Sequence, residues 1–126
     1  MDWDTVTLSI TKEFRFDAAH FLPTAPQGHP NSRMHGHSFT AAVTLEGAPD
    51  PAKGWIRDFA DVDTAVADLR ARLDHHLLNE IKGLELPTLE RLARFIFEEL
   101  KTALPEIASV TVSRHSLGES ATYRRA

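Results

Sequence analysis

The sequence predicts an α+β fold, in which four strands form one antiparallel sheet and two helices cover one of its faces in the order ββααββ. Three observations point there. Apolar and polar residues alternate near both ends of the chain, apolar residues recur every three or four positions in two central segments, and stretches rich in Pro and Gly separate these regions.

The first strand is read from Val6, Leu8, Ile10, Phe14 and Phe16, all at even positions, the period of a strand with one buried face; His20 ends it. Pro23, Pro26, Gly28 and Pro30 make the segment from Leu22 to Asn31 a loop. Phe39, Ala41, Val43 and Leu45 alternate again as a second strand, closed by the turn residues between Gly47 and Gly54. Val62, Ala65, Val66, Leu69 and Leu73 form the apolar stripe of a first helix, opposite Asp61, Asp63, Asp68, Arg70 and Arg72, and it is expected to end near Asp74-His75-His76. A second helix begins after Pro87 with Thr88 as its N-cap and Glu90 in its first turn. Its stripe is read as Leu89, Leu92, Phe95, Ile96, Leu100 and Leu104, with Pro105 as the stop. Val110 and Val112 mark a third strand, and Gly118 permits a turn into a short fourth strand near Ala121 to Arg124. Trp55, Phe59, Phe95 and Phe97 are read as core or interface residues. So small a sheet has two open edges, so an oligomer is expected.

With 126 residues, 42% of them hydrophobic, the chain has room for one domain, residues 1–126. Its 14 basic and 18 acidic residues give a formal net charge of -4, so it has no overall positive field to gather nucleic acid or an anionic membrane. No apolar run approaches the length of a membrane span, and the acidic start Met1-Asp2-Trp3-Asp4 lacks the basic region of a secretory leader, so a cytoplasmic location is expected. Cysteine is absent, which excludes disulfides, thiolate metal ligands and a thiol nucleophile.

Histidine is the compositional oddity: four of the seven lie between His20 and His37. His35-Gly36-His37 projects two imidazoles from the same face of an extended segment, and a hairpin of the first two strands would bring His20 beside them. Three neutral imidazoles leave a tetrahedral metal one open position, as in catalytic zinc sites, although nickel, copper or iron also accept imidazole. A chance pair on a half-exposed strand is the competing reading. His29, among turn residues, and His115, after Arg114, are read as surface histidines. In Leu73-Asp74-His75-His76 the aspartate can orient an imidazole and stabilise its cation, as behind a general base; the alternative is that these histidines only complement the helix dipole.

Phe16-Asp17-Ala18-Ala19-His20, His35-Gly36-His37, Gly54-Trp55-Ile56-Arg57-Asp58-Phe59, Leu73-Asp74-His75-His76-Leu77-Leu78-Asn79 and Pro87-Thr88-Leu89-Glu90-Arg91-Leu92-Ala93 occur in this order. Together they resemble the 6-pyruvoyl-tetrahydropterin synthase and 6-carboxy-tetrahydropterin synthase family. The resemblance implies the tunnelling fold, whose sheets close into a barrel of three subunits, with two trimers stacked as a homohexamer and active sites between subunits. It implies zinc held by His20, His35 and His37, Asp74 and His75 as the supporting catalytic acid and histidine, and Thr88 in contact with a pterin ring.

Two departures alter what is expected. Bacterial members of the family carry a cysteine base four residues before His-Gly-His, and a branch carries glutamate; here the position is Asn31. The family's glutamate after the third strand, which anchors the guanidine-like edge of the pterin, is matched most nearly by Arg114-His115, with Glu119 a few residues on as the candidate that takes its place or as a plain turn carboxylate. A carboxamide cannot take up a proton at neutral pH, and losing a positioned base typically slows a reaction about 100- to 10,000-fold. The chain is therefore expected to bind a pterin-like ligand with the standard synthase chemistry lost or altered. One alternative is an active zinc-dependent synthase or side-chain lyase using His75, or less readily His29, as base. Another is a non-catalytic pterin-binding protein without metal.

Overall fold

The computed structural model describes residues 2–125. Strand β1, Leu8–His20, and strand β2, His35–Gly47, form a long antiparallel hairpin with an unbroken register from Leu8↔Gly47 to His20↔His35. Helix α1, Phe59–Leu73, and helix α2, Leu89–Leu100, follow. Strands β3, Ile107–Arg114, and β4, Glu119–Arg124, then complete one antiparallel sheet of order β1-β2-β3-β4. The expected class and element order hold; β1 ends at His20 as expected but starts at Leu8 rather than Val6, and β2 runs back to His35, further than its alternation from Phe39 suggested.

One face of this sheet is apolar because the side chains alternate. Phe14, Phe16 and Ala18 on β1, Phe39, Ala41 and Val43 on β2, and Val110 and Val112 on β3 are all buried beneath the two helices. Phe16 and Phe39 are cross-strand partners whose rings stack with centroids 5.2 Å apart. Each contributes the burial energy of a large side chain, about 1.5–3 kcal/mol. The opposite face is lined with hydroxyls, and Thr11 pairs with Thr44 and Thr111 with Thr122 across it at 2.8 and 2.7 Å.

Both helices start on side-chain caps. Asp58 accepts a hydrogen bond from the Ala60 amide at 2.9 Å, and Thr88 accepts one from the Arg91 amide at 3.2 Å, satisfying donors that the helix itself leaves free. Helix α2 is shorter than its stripe implied. It closes at Leu100, and Leu104 is buried through a further turn in which its amide donates to the Leu100 carbonyl at 2.8 Å, so Pro105 is not the stop. Trp55 and Phe59 are exposed rather than part of this core, whereas Phe97 is buried. Gly118 adopts φ 66°, the left-handed conformation that a glycine takes at little cost, in the turn that reverses β3 into β4. No helix among the described residues is long and apolar enough to cross a membrane.

Candidate metal centre

The core face of the sheet runs out into histidine. The buried series Phe14, Phe16, Ala18 on β1 continues to His20, and Phe39 on β2 is preceded on the same face by His37 and His35. Since His20 is the register partner of His35, and Ala18 that of His37, the three imidazoles meet at one end of the hairpin. Their ligand atoms all lie within 4.8 Å of one another. The Phe39 ring closes the centre from below, with its centroid 5.8 Å from that of His20 and 5.7 Å from that of His37.

Hydrogen bonds set the state of these rings. His20 Nδ1 lies 2.9 Å from the Pro87 carbonyl, and His35 Nδ1 lies 2.7 Å from the Arg33 carbonyl. A carbonyl oxygen only accepts, so both Nδ1 atoms donate, and each neutral ring turns a bare Nε2 lone pair inward. These two Nε2 atoms stand 3.1 Å apart, close to the roughly 3.3 Å that tetrahedral coordination with 2.0–2.1 Å bonds requires. The third ring adds His37 Nε2, buried and without a hydrogen-bond partner. Protonation is a poor remedy for facing lone pairs here. Burial, followed by the charges of neighbouring His20, Arg114 and His35, pushes His37 down to about 4, against a smaller opposing effect of Glu119. Burial also lowers His20, outweighing its bond to Pro87. Three converging neutral imidazoles, those of His20 and His35 with second nitrogens fixed by carbonyls, suit a divalent cation and leave it an open coordination position.

Asp74 and His75 form a separate, well-fixed pair. The chain leaves α1 at Asp74, whose Oδ1 accepts the Asp17 amide at 2.9 Å and whose Oδ2 lies 2.8 Å from His75 Nδ1. The amide of Asp17, the ring of His75 and nearby Arg70 together hold the Asp74 carboxyl below the usual carboxylate range. His75 takes a left-handed φ of 59°, which costs a non-glycine residue on the order of 1 kcal/mol, and its amide donates to the Asp17 carbonyl at 2.7 Å. Its ring is mostly exposed at the rim of a cavity of about 540 Å³ that His37 also lines. Asp17 and Ser38 line that cavity too, with Ser38 Oγ donating to Asp17 Oδ1 at 2.6 Å; this pair becomes visible only once the register Asp17↔Ser38 is known.

Thr88 sits at the N-terminus of α2, next to the Pro87 carbonyl that holds His20, with its oxygen engaged as a helix cap. Glu119 pairs with Arg114, its register partner on β3, at 3.0 Å. Arg114 continues the core-facing series Val110, Val112, and its charge acts on both His20 and His37. Asn31 and His29 are exposed in the short helical turn Pro30–Ser32 and just before it, where His29 Nδ1 accepts the Asn31 amide at 3.1 Å; His115 is exposed after β3.

Comparison with known proteins agrees with this fold. The sequence profile described as 6-pyruvoyl tetrahydropterin synthase matches residues 9–126. A 6-carboxy-5,6,7,8-tetrahydropterin synthase of Synechocystis is 40% identical, covering 82% of this chain and 83% of its own. A dihydroneopterin monophosphate aldolase of Pyrococcus furiosus is 36% identical, covering 82% of each. The fold matches that of the Caenorhabditis elegans 6-pyruvoyl tetrahydropterin synthase structure with a TM-score of 0.85 at 24% identity, over 96% of this chain and 97% of that one. With its histidine cluster able to hold a metal ion, the chain belongs to the 6-pyruvoyl tetrahydropterin synthase family.

Proposed function

We propose that this protein binds a pterin-like heterocycle beside a zinc ion held by His20, His35 and His37, in a pocket between subunits of a cytoplasmic homohexamer, with the standard synthase elimination lost or strongly slowed. The observation that carries this reading is the contrast between three converging imidazoles and the carboxamide at position 31. Zinc, when bound, supplies Lewis-acid polarisation of ligand oxygens. The remaining work belongs to side chains. Thr88 Oγ1 accepts the Arg91 amide, which leaves its own proton free to donate to a ring acceptor. Glu119 offers a half-exposed carboxylate for a guanidine-like edge. His75, oriented through Nδ1 by Asp74, presents Nε2 as a site that can take or return a proton.

That last geometry favours a second reading, a side-chain lyase or synthase in which His75 is the base; the Pyrococcus relative named as an aldolase is in keeping with it. Metal analysis, dihydropterin titration and turnover of dihydroneopterin triphosphate on the purified protein separate the readings. About one zinc per chain, ligand binding and negligible turnover are expected. Robust elimination from the triphosphate would refute the lost-chemistry reading, and its abolition in His75→Ala with zinc content unchanged would establish the second. Ligand binding by a protein that takes up no metal would leave a binding module.

A further inference from the structure

The chain that leaves α1 runs along the outer edge of β1 and meets every second residue there. The Asp17 amide donates to the Asp74 carboxylate at 2.9 Å, and the Asp17 carbonyl accepts the His75 amide at 2.7 Å. The Ala19 amide donates to the His76 carbonyl at 3.0 Å, and Ala19 forms a parallel bridge with Leu77. Odd-numbered residues of β1 thus turn their backbone groups outward, and the next in line is Phe21, the neighbour of His20. At that point the strap closes into the short helical turn Leu78–Glu80, and a side chain takes over from its backbone. Asn79 Oδ1 accepts the Phe21 amide at 3.0 Å and Nδ2 donates to the Phe21 carbonyl at 2.8 Å, copying the paired bonds of a strand neighbour. Nδ2 also lies 3.5 Å from the Glu85 carbonyl, in the loop whose Pro87 carbonyl fixes His20 Nδ1. One half-buried carboxamide therefore joins the end of β1, the strap that carries Asp74 and His75, and the loop into α2. Only a carboxamide fits here, because a carboxylate has no donor for the two carbonyls and an ammonium has no acceptor for the amide.

We infer that Asn79 is a positioning residue for the histidine centre, holding the backbone beside His20 so that His20 Nε2 meets the same ion as His35 and His37, in fixed relation to the Asp74–His75 pair. The inference rests on reading the three histidines as a metal site. Asn79 touches neither the ion nor a ligand; it acts through Phe21 and through the loop that presents Pro87. Metal–imidazole bonds tolerate departures of only about 0.2 Å, so a small drift at the end of β1 is enough to spoil coordination.

The test compares the wild type with Asn79→Ala, Asn79→Asp and, as a control for general destabilisation, Val66→Ala, which truncates a buried residue of α1 two turns before Asp74. Zinc affinity is measured by competition with a chromophoric chelator, coordination geometry by the visible bands of the cobalt(II)-substituted proteins, and folding by thermal melting. Affinity should fall fivefold or more in both Asn79 variants, toward the roughly 10- to 100-fold lost when groups that orient a metal ligand are removed, and the cobalt bands should shift. Aspartate should not rescue, although it keeps the shape and the bond to the Phe21 amide, because its second oxygen faces carbonyls. Val66→Ala should melt earlier with affinity within twofold of the wild type. A fall below fivefold in either Asn79 variant, unshifted bands, or an equal fall in Val66→Ala overturns the inference and leaves the proposed function standing. Should Asn79→Ala not fold, Asn79→Asp decides alone; if neither folds, Asn79 serves the fold as a whole and the inference is overturned. If the wild type takes up neither zinc nor cobalt, the metal reading fails, and the imidazole nitrogen NMR signals of the metal-free proteins decide the role of Asn79. A His20 proton held on Nδ1 in the wild type and shared between both nitrogens in Asn79→Asp supports it, and unchanged signals overturn it.

Discussion

On the proposed reading, the chemistry of a single side chain at position 31 separates binding from turnover. Asn31 lies exposed in the turn before β2, and the bonds that shape this turn are made by its backbone: its amide donates to His29 Nδ1 at 3.1 Å and its carbonyl accepts the Leu22 amide at 2.7 Å. Changing the side chain leaves those bonds intact, so the position accepts a proton-transfer group at little cost in stability. Asn31→Cys is expected to raise the rate of triphosphate elimination from dihydroneopterin triphosphate by about 100-fold or more over the wild type, the lower end of what a positioned base contributes. Steady-state assays of the two proteins at equal zinc content check this. An unchanged rate would move the deficit elsewhere, and Arg114 would be the next residue to replace, since it too departs from the residue that the resemblance leads one to expect.

Between elements, the segment leading into α1 is clamped to the start of β3. Arg57 donates from Nε and Nη2 to the two carboxylate oxygens of Glu106 at 3.0 and 2.6 Å, and the Glu106 carbonyl accepts the Glu46 amide at 3.0 Å. The guanidinium holds the Glu106 carboxyl below its ordinary value near 4.5. A carboxyl with a folded-state pKa below its unfolded value stabilises the fold above the unfolded pKa and loses that contribution as pH falls through the folded one. Glu106→Gln should therefore cost about 1 kcal/mol at pH 7, a figure that allows for solvent screening of a partly exposed pair. Urea unfolding should show the gap between variant and wild type closing as the pH drops below 4.5, and a constant gap from pH 7 to pH 3.5 would contradict this origin. The clamp also marks what a sequence can and cannot disclose. Alternation exposed the core face of β1 through Phe16, and His-x-His on one strand shares a face by backbone geometry alone, so the convergence of three histidines that could hold a metal was legible. Leu104 continues the spacing of α2 yet lies in the turn beyond it, because spacing does not distinguish a helical turn from the one after it. Trp55 and Phe59 are apolar and exposed, a distinction that hydropathy does not carry. Pairings such as Arg57 with Glu106, Ser38 with Asp17 and Arg114 with Glu119 depend on register across separate elements, which no local pattern encodes.

For the whole molecule the open question is what covers its edges. The outer edge of β1 is partly occupied near His20, where the amide of Ala19 donates to the His76 carbonyl, but β4 has no neighbour on its outer side among the described residues. Trp3, Leu8, Met34, Trp55, Phe59 and Leu117 are large apolar side chains left exposed in the single chain. Pairing β4 of one copy with the free part of β1 of the next would close the sheets into the expected barrel and remove both edges. The Arg125 amide donates to Ala108 of β3, so by strand alternation the amides of Tyr123 and Ala121 also face β3, and that of Thr122 faces outward. Thr122→Pro deletes this outward donor while sparing the β3–β4 ladder, losing within the chain only the hydroxyl contact with Thr111. Native mass spectrometry should find six copies of the 14.1 kDa chain in the wild type and mainly single chains in the variant. Because the pocket is proposed to lie between copies, the variant should also lose pterin affinity while its own histidine centre still takes up zinc. A wild-type monomer that binds pterin at full affinity would place the whole site within one chain.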